Sequence, residues 1–435
     1  MEFSPTQVAV IGFVVLFALM LLRVPVGMAM GLVGVCGFGY LTGWSPALKL
    51  IGQTSMRTVT DYNFGVIPMF MLMGALVTVS GMSRELFRVA NAMIGHLRGG
   101  LGVATILACG GFAAVCGSSV ATAATFSTVA YPEMRRHNYP QSFSTGVIAA
   151  GGTLGIIIPP STVLAVYAIL TQQDIGKLFI AGVIPGLLAL LMYILTISVI
   201  VWFQPHLLPA GENKPWSERL ASLKEVWGPL TLFIFVMVGL YAGLFTPTEA
   251  GGVGAIGALL IGLARGKLGK AELLEALLSA TRTSSAVFTV LIGALIFGYF
   301  LTITQVPQNV TEFLTNLGVG KYGVLALIML MYLILGCLMD AMAMIILTVP
   351  IIYPVILQLG FDPIWFGIIV VMVVELGLIH PPVGMNVFVI KSVIKDVSFS
   401  TIFKGVLPFI AMDLLRLVIL IAFPILSLWL PNQMG

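Results

Sequence analysis

Along the chain, long apolar runs alternate with short polar ones. Runs of about 20 residues, the length that crosses a bilayer as a helix, lie near 5–22, 24–43, 64–81, 178–202, 228–245, 247–264, 284–304 and 403–430. In 84–98 and 266–283, Arg84, Arg88, Arg98, Lys267, Lys270 and Arg282 stand beside Leu and Ala. That amphipathic spacing predicts helices lying on a membrane surface. Two regions, 101–171 and 322–390, are apolar but interrupted by Gly, Pro, Ser and Thr. The one clearly polar stretch, "QPHLLPAGENKPWSERLASLKE" (204–225), falls near the midpoint.

The interruptions repeat. "IIPPSTVL" carries Pro159 and Pro160, and "LIHPPVGMN" carries Pro381 and Pro382, 222 residues further on. The same interval separates Pro25 from Pro247, Pro132 from Pro354 and Gly155 from Gly377, while Gly182 and Gly405 are one residue out of step. Landmarks holding one interval across the chain predict an internal duplication. The halves are 1–210 and 228–435, joined by a linker at 211–227. The first carries a hairpin at 101–131 and a broken helix at 143–171; the second carries a hairpin at 322–358 and a broken helix at 363–390.

Composition sets the solvent. Hydrophobic residues make up 59% of the chain, charged residues 9%, and the mean hydropathy is +1.08. Soluble domains carry roughly 25% charged residues, so this is an integral membrane protein in a lipid bilayer. The net charge of +4 is too small and scattered for nucleic acid. "MEFSPTQVAVIGFVVLFALMLLR" lacks a basic start and a small-residue cleavage site, and reads as a retained helix. The four cysteines have no metal-ligand spacing and the methionines no regular cluster.

Charge predicts orientation. With an outside N-terminus and hairpins that turn back midway, Arg23, Arg84, Arg135, Arg136, Arg265, Lys404, Arg416 and others fall inside, 17 of 21 basic residues. Lys49, Arg57, Lys177 and Lys321 remain outside. The positive-inside rule then makes the halves inverted copies, with both termini outside. The fold class expected is an all-α polytopic membrane protein of two inverted-topology repeats, each with a re-entrant helical hairpin and a discontinuous helix.

Paired broken helices mark secondary transporters, whose sites lie near the midplane. Unwinding at Gly155–Pro160 frees carbonyls for a cation, and half-helix N-termini favour an anion. Beside the first break stands "CGSSVATAATFS", with Ser118, Ser119 and Thr122; beside the second stands "GCLMDAMAMIILT", with Asp340 in register with Ser118. Asp340 fits either a helix N-cap or a site residue. His380 fits equally a packed core histidine or a site group. Glu249, after Pro247, suits the first turn of a helix, and Asp413 and Arg416, three apart, should pair. "GKLGKAE" lacks the glycine frame of a nucleotide-binding loop, and no catalytic or zinc constellation stands out. The chain is not read as an enzyme, and no organic cofactor is expected.

Five motifs carry a resemblance: "GSSVATAATFSTVAYPEM", "GGTLGIIIPPSTVL", "IPMFMLMG", "LTVPIIYPVI" and "LGLIHPPVGMN". Together they resemble the large membrane subunit of tripartite ATP-independent periplasmic (TRAP) transporters, over essentially the whole chain. The resemblance implies an elevator-type secondary transporter of a small carboxylate or related organic acid, driven by a sodium gradient, in a bacterial or archaeal inner membrane. It also implies two partners, a small four-helix membrane subunit on a separate chain and a soluble periplasmic substrate-binding protein. Carried over, a first sodium site would use Ser118, Ser119, Gly155, Ile158 and Pro160. A second would use Gly336, Asp340, Gly377, His380 and Pro382. Substrate would lie near Thr122, Thr153, Ser161 and Asn386. Ile379 and His380 depart from the usual small residues there, which raises protonation of His380 as a further coupling. A single-component sodium–carboxylate symporter is the alternative; a channel would need a continuous polar path, whereas polarity here gathers at two breaks.

Overall fold

The computed structural model describes residues 3–337 and 339–433. It opens with α1 (Pro5–Leu21), α2 (Val26–Thr42), α3 (Trp44–Thr60), α4 (Val66–Val79) and α5 (Met82–Ile94). A hairpin follows, α6 (Gly100–Cys116) and α7 (Ser119–Arg136), then a broken helix, α8 (Gln141–Ile157) and α9 (Thr162–Thr171), and the long α10 (Ile175–Phe203). After α11 (Trp216–Leu223) come α12 (Trp227–Tyr241), α13 (Pro247–Ala264), α14 (Lys270–Ile303) and α15 (Val306–Asn316). A second hairpin, α16 (Gly320–Gly336) and α17 (Ala341–Gln358), precedes a second broken helix, α18 (Pro363–Ile379) and α19 (Met385–Val393). The chain closes with α20 (Phe399–Ala422) and α21 (Ile425–Leu428). Among the described residues, seven helical spans are long and apolar enough to cross a membrane, α8–α9 counting as one.

Local chemistry explains several boundaries. Thr246 and Glu249 form a reciprocal capping box before Pro247, so Glu249 has the structural role its position predicts. Expectations fail where breakers are absent or unnoticed. Segments 266–283 and 284–304 are one helix, α14, because no Gly or Pro falls between Lys270 and Ser284. The run 403–430 stops at Ala422, ahead of Pro424. The polar linker contains α11, and α3 and α15 are further helices whose polar positions hid them from a search for long apolar runs.

The two broken helices run in opposite directions. The start of α8 and the loop after α19 share one end, where Gln141 Nε2 and Tyr131 Oη each reach Asp396 at 3.3 Å. The start of α18 lies at the other end, where Tyr167 Oη near the close of α9 donates to the Pro363 carbonyl at 2.7 Å. At that same end Gln173 meets Tyr353 near the close of α17. The halves are therefore inverted in the fold itself. They also interlock: α19 packs on α7 of the first hairpin, and α9 packs on α17 of the second.

The broken helices form the centre. Of the α8–α9 span 83% is buried, against 33% for α13 and for α20, and every residue of α18 from Trp365 to Ile379 is buried. A helix apolar all round belongs in such a place. Arg416, assigned above to the inside face, is instead 1% exposed in this core. Its neighbours Asp413 and Glu375 hold it there.

Candidate functional site

At the first break, α8 ends at Ile157, Ile158 turns extended (φ −75, ψ 118), and Ser161 caps α9 by accepting from the Leu164 amide at 3.3 Å. Pro159–Pro160 is a cis peptide. The hairpin tip is built for close approach. Gly117 ends α6 with φ +62, a left-handed value that favours glycine. Ser118 caps α7, its Oγ accepting from the Ala121 amide at 3.3 Å. A Cβ on Gly155 would stand 2.6 Å from the Ser118 carbonyl oxygen, and one on Gly117 would stand 2.7 Å from that of Pro160. Thr162 Oγ1 donates to the Gly117 carbonyl at 3.2 Å. Tip and break thus meet backbone to backbone, where the ends of helices leave carbonyls without intrahelical partners.

The second break repeats this arrangement. A Cβ on Gly377 would lie 2.7 Å from Gly336 Cα, and one on Gly336 would lie 2.9 Å from Gly377 Cα. Pro381–Pro382 is also cis. Asp340 caps α17, one carboxylate oxygen accepting from the Met342 and Ala343 amides at 3.0 and 3.1 Å. Half-buried His380 sits with Nδ1 beside the Pro381 carbonyl and 3.8 Å from Cys337 Sγ. Leu338, in the same tip, lies outside the described residues. Among the described residues there is no group of three or more His, Cys, Asp or Glu side chains that could hold a metal.

Between the breaks the halves touch through side chains. Asn386 Nδ2 donates to Ser119 Oγ at 2.7 Å and reaches the Ala149 carbonyl at 3.4 Å; Ser119 Oγ lies 3.0 Å from Asn386 Oδ1. Ser119 starts α7 and Asn386 is the second residue of α19, so two helix N-termini converge on this contact. Both residues are buried, at 3% and 0% exposure, so the pair is closed to solvent. Thr122 is one turn along α7, its Oγ1 donating to the Ser118 carbonyl at 2.7 Å. Gly152, a residue the motifs did not single out, makes the room: a Cβ there would stand 3.1 Å from Asn386 Nδ2 and 3.0 Å from Ala123 Cβ.

Thr153 does not join this group. Its hydroxyl donates to the Ala150 carbonyl at 2.7 Å and stands 2.9 Å from Tyr193 Oη. Tyr193 Oη donates to Asp413 at 2.7 Å, and Arg416 Nη2 bridges Asp413 at 3.0 Å and Glu375 at 3.3 Å. Thr153 therefore faces a buried ionic network and not the Ser119–Asn386 contact; its place on α8 turns its hydroxyl toward α10. Ser161 stands apart as well, committed to its cap on α9. The sequence pairs Asp413 with Arg416 on α20 correctly, but the links to Glu375, Tyr193 and Thr153 come from three other helices, α18, α10 and α8.

The family model described as tripartite ATP-independent periplasmic transporter, DctM component, matches residues 13–426. The chain belongs to this TRAP large-permease family. It is 39% identical to the C4-dicarboxylate TRAP transporter large permease protein DctM of Pseudomonas aeruginosa, over 90% of each chain. It is 33% identical to the isethionate TRAP transporter permease protein DctMQ of Oleidesulfovibrio alaskensis, covering 93% of this chain and 63% of that one. In fold it is similar to the Alcanivorax borkumensis YdaH transporter, with a TM-score of 0.63 at 15% identity and 90% coverage of each chain. The DctM-family chain is thus a multi-pass membrane transporter subunit and not an enzyme, and its motifs were sufficient to identify the family.

Proposed function

We propose that this protein is the large membrane subunit of a sodium-coupled TRAP importer of a small organic anion. The observation that carries the reading is the Ser119–Asn386 contact, where the N-termini of α7 and α19 converge between two breaks of matching build. Helix N-termini favour negative charge, while the carbonyls at each hairpin tip and helix end favour a hard cation. An anion and its coupling ions thus have neighbouring, chemically distinct places. The first sodium would be held around Ser118, Ser119, Gly155, Ile158 and Pro160. The second would be held around Gly336, Asp340, Gly377, His380 and Pro382, with the Asp340 carboxylate retaining its cap. Substrate would lie at Asn386 with Thr122 on the adjacent turn. Relatives named for a dicarboxylate and a sulfonate support the anionic class.

The closed site requires a movement that exposes it to each side in turn, and an elevator displacement of the interlocked hairpins and broken helices supplies it. The remaining parts are a soluble periplasmic substrate-binding protein and a small four-helix membrane subunit, in an inner membrane with both termini periplasmic. The test is uptake into proteoliposomes holding this chain with its small subunit. Candidate carboxylates are supplied with and without the binding protein, under an inward sodium gradient. Uptake that needs both sodium and the binding protein is expected. Uptake indifferent to sodium would overturn the coupling, and uptake without the binding protein would leave a lone symporter.

A further inference from the structure

Thr153 and Glu375 occupy equivalent positions in the two halves, 222 residues apart, each two residues before the glycine that meets a hairpin tip. Tyr193 and Arg416 are equivalent at the slightly longer interval that also relates Gly182 to Gly405. The four residues, with Asp413, form one unbroken chain of contacts in the core. The network therefore joins corresponding turns of the two broken helices through both of the helices that follow them.

We propose that Thr153, Tyr193, Asp413, Arg416 and Glu375 are positioning residues that couple the two breaks, so that sodium at one favours sodium at the other. The inference rests on the sodium-coupled reading above. Three features support it. Each link is buried, Thr153, Tyr193 and Glu375 at 0% exposure, Arg416 at 1% and Asp413 at 2%, so water does not compete for the bonds. The ends of the chain lie where a change at a break must be felt: Gly155 and Gly377 are the backbone floor on which the tips rest. The network also holds bonds in reserve, since Arg416 Nε and Nη1 and Glu375 Oε1 have no protein partner. A half-satisfied buried network of this kind admits a second arrangement when either helix shifts. Coupling through it is reciprocal, because each ion must alter the other's affinity by the same factor.

The experiment is the sodium dependence of uptake by the complete transporter bearing Tyr193→Phe. This change keeps the ring in place and removes the hydroxyl that joins Thr153 to Asp413. The expected result is a Hill coefficient for sodium that falls toward one, with half-saturating sodium raised about fivefold or more, the lower end of usual coupling factors. The maximal rate per folded transporter should stay within about twofold. Thr153→Val cuts the same link from the other side, and the double variant should be no worse than either alone, as for residues acting through one contact. A merely structural role would lower the amount of folded protein and the maximal rate while leaving the Hill coefficient unchanged, and that result overturns the proposal. A parent whose Hill coefficient is already one removes this proposal alone. A parent indifferent to sodium removes the sodium reading, and this proposal with it.

Discussion

Asn386 donates to Ser119 at 2.7 Å across 267 residues of chain, and that bond joins the second broken helix to the tip of the first hairpin. Each half contributes a half-helix that packs on the other half's hairpin, so duplication and inversion together make a shared centre. The close approach depends on small residues, with Gly152 beneath the amide and Gly155 beneath the tip.

Ser119→Ala should leave Asn386 with only its 3.4 Å contact to the Ala149 carbonyl. Stranding most of a buried amide costs about 1–3 kcal/mol. A lowered unfolding temperature in detergent, together with weakened substrate and sodium dependence of uptake, is the expected outcome. Unchanged values in both assays would show that the contact is incidental.

The ionic cluster should respond unequally to its members. Arg416→Ala removes the cation between Glu375 and Asp413 and leaves two carboxylates buried without it. Breaking a buried pair in this way costs about 3–5 kcal/mol. Glu375→Gln keeps the volume and the Asp413–Arg416 pair, so it should be much milder. Comparing the yields and melting temperatures of the two variants checks the order; a milder Arg416→Ala would contradict it.

Glycines in the packed helices divide by what surrounds them. A Cβ on Gly405 would overlap the Ser142 carbonyl oxygen, and one on Gly146 would overlap that of Gly405. Either change to Ala must separate α8 from α20, and overpacking of this severity costs about 1–3 kcal/mol or more. Gly252 and Gly298 meet nothing within 4 Å. In those helices Ala is intrinsically favoured by about 1 kcal/mol. Thermal unfolding should fall for the first pair and hold or rise for the second.

Arg265 ties three elements together at one end of the molecule. Its guanidinium pairs with Glu85 of α5, donates to the Glu225 carbonyl at 2.7 Å and lies 5.0 Å from the Trp227 ring centroid. Arg265→Lys keeps the charge but loses the planar fork that serves all three. A loss of about 1 kcal/mol is expected, together with faster proteolysis of the stretch around α11. A cleavage pattern identical to the parent's would refute that role.

The parts legible in the sequence were those that break rules. Pro159–Pro160 and Pro381–Pro382 cannot continue a helix, and their common interval exposed the duplication before any contact was known. Asp340 was legible as a possible cap because N-capping needs a short polar acceptor, and Ser118 as a tip residue because a tip packed beside a break needs small hydroxylated side chains. What escaped was direction and partnership. Thr153 has the right type and place for a substrate contact, yet its hydroxyl faces Tyr193 on α10, which only packing decides. Arg416 looked like one more inside charge, because nothing local says that Glu375, on another helix, lies beside it. The helix α14 was divided in two because its polar first turns suggested a surface segment, although no breaker separates them from the span. Gly152 lies inside the motif "GGTLGIIIPPSTVL" but was given no role there; its meaning is the space it leaves for Asn386.

In the proposed function an anion binds where the N-termini of α7 and α19 meet. Asn386→Asp keeps the shape and can still accept from the Ser119 hydroxyl, gives up the amide's donation to Ser119 and to the Ala149 carbonyl, and places a carboxylate where the substrate's charge would sit. Helix N-termini that favour an anion should tolerate the substitution in folding. The variant should melt near the parent's temperature and lose anion uptake, measured in proteoliposomes at saturating sodium. Uptake with the parent's half-saturation constant would contradict it.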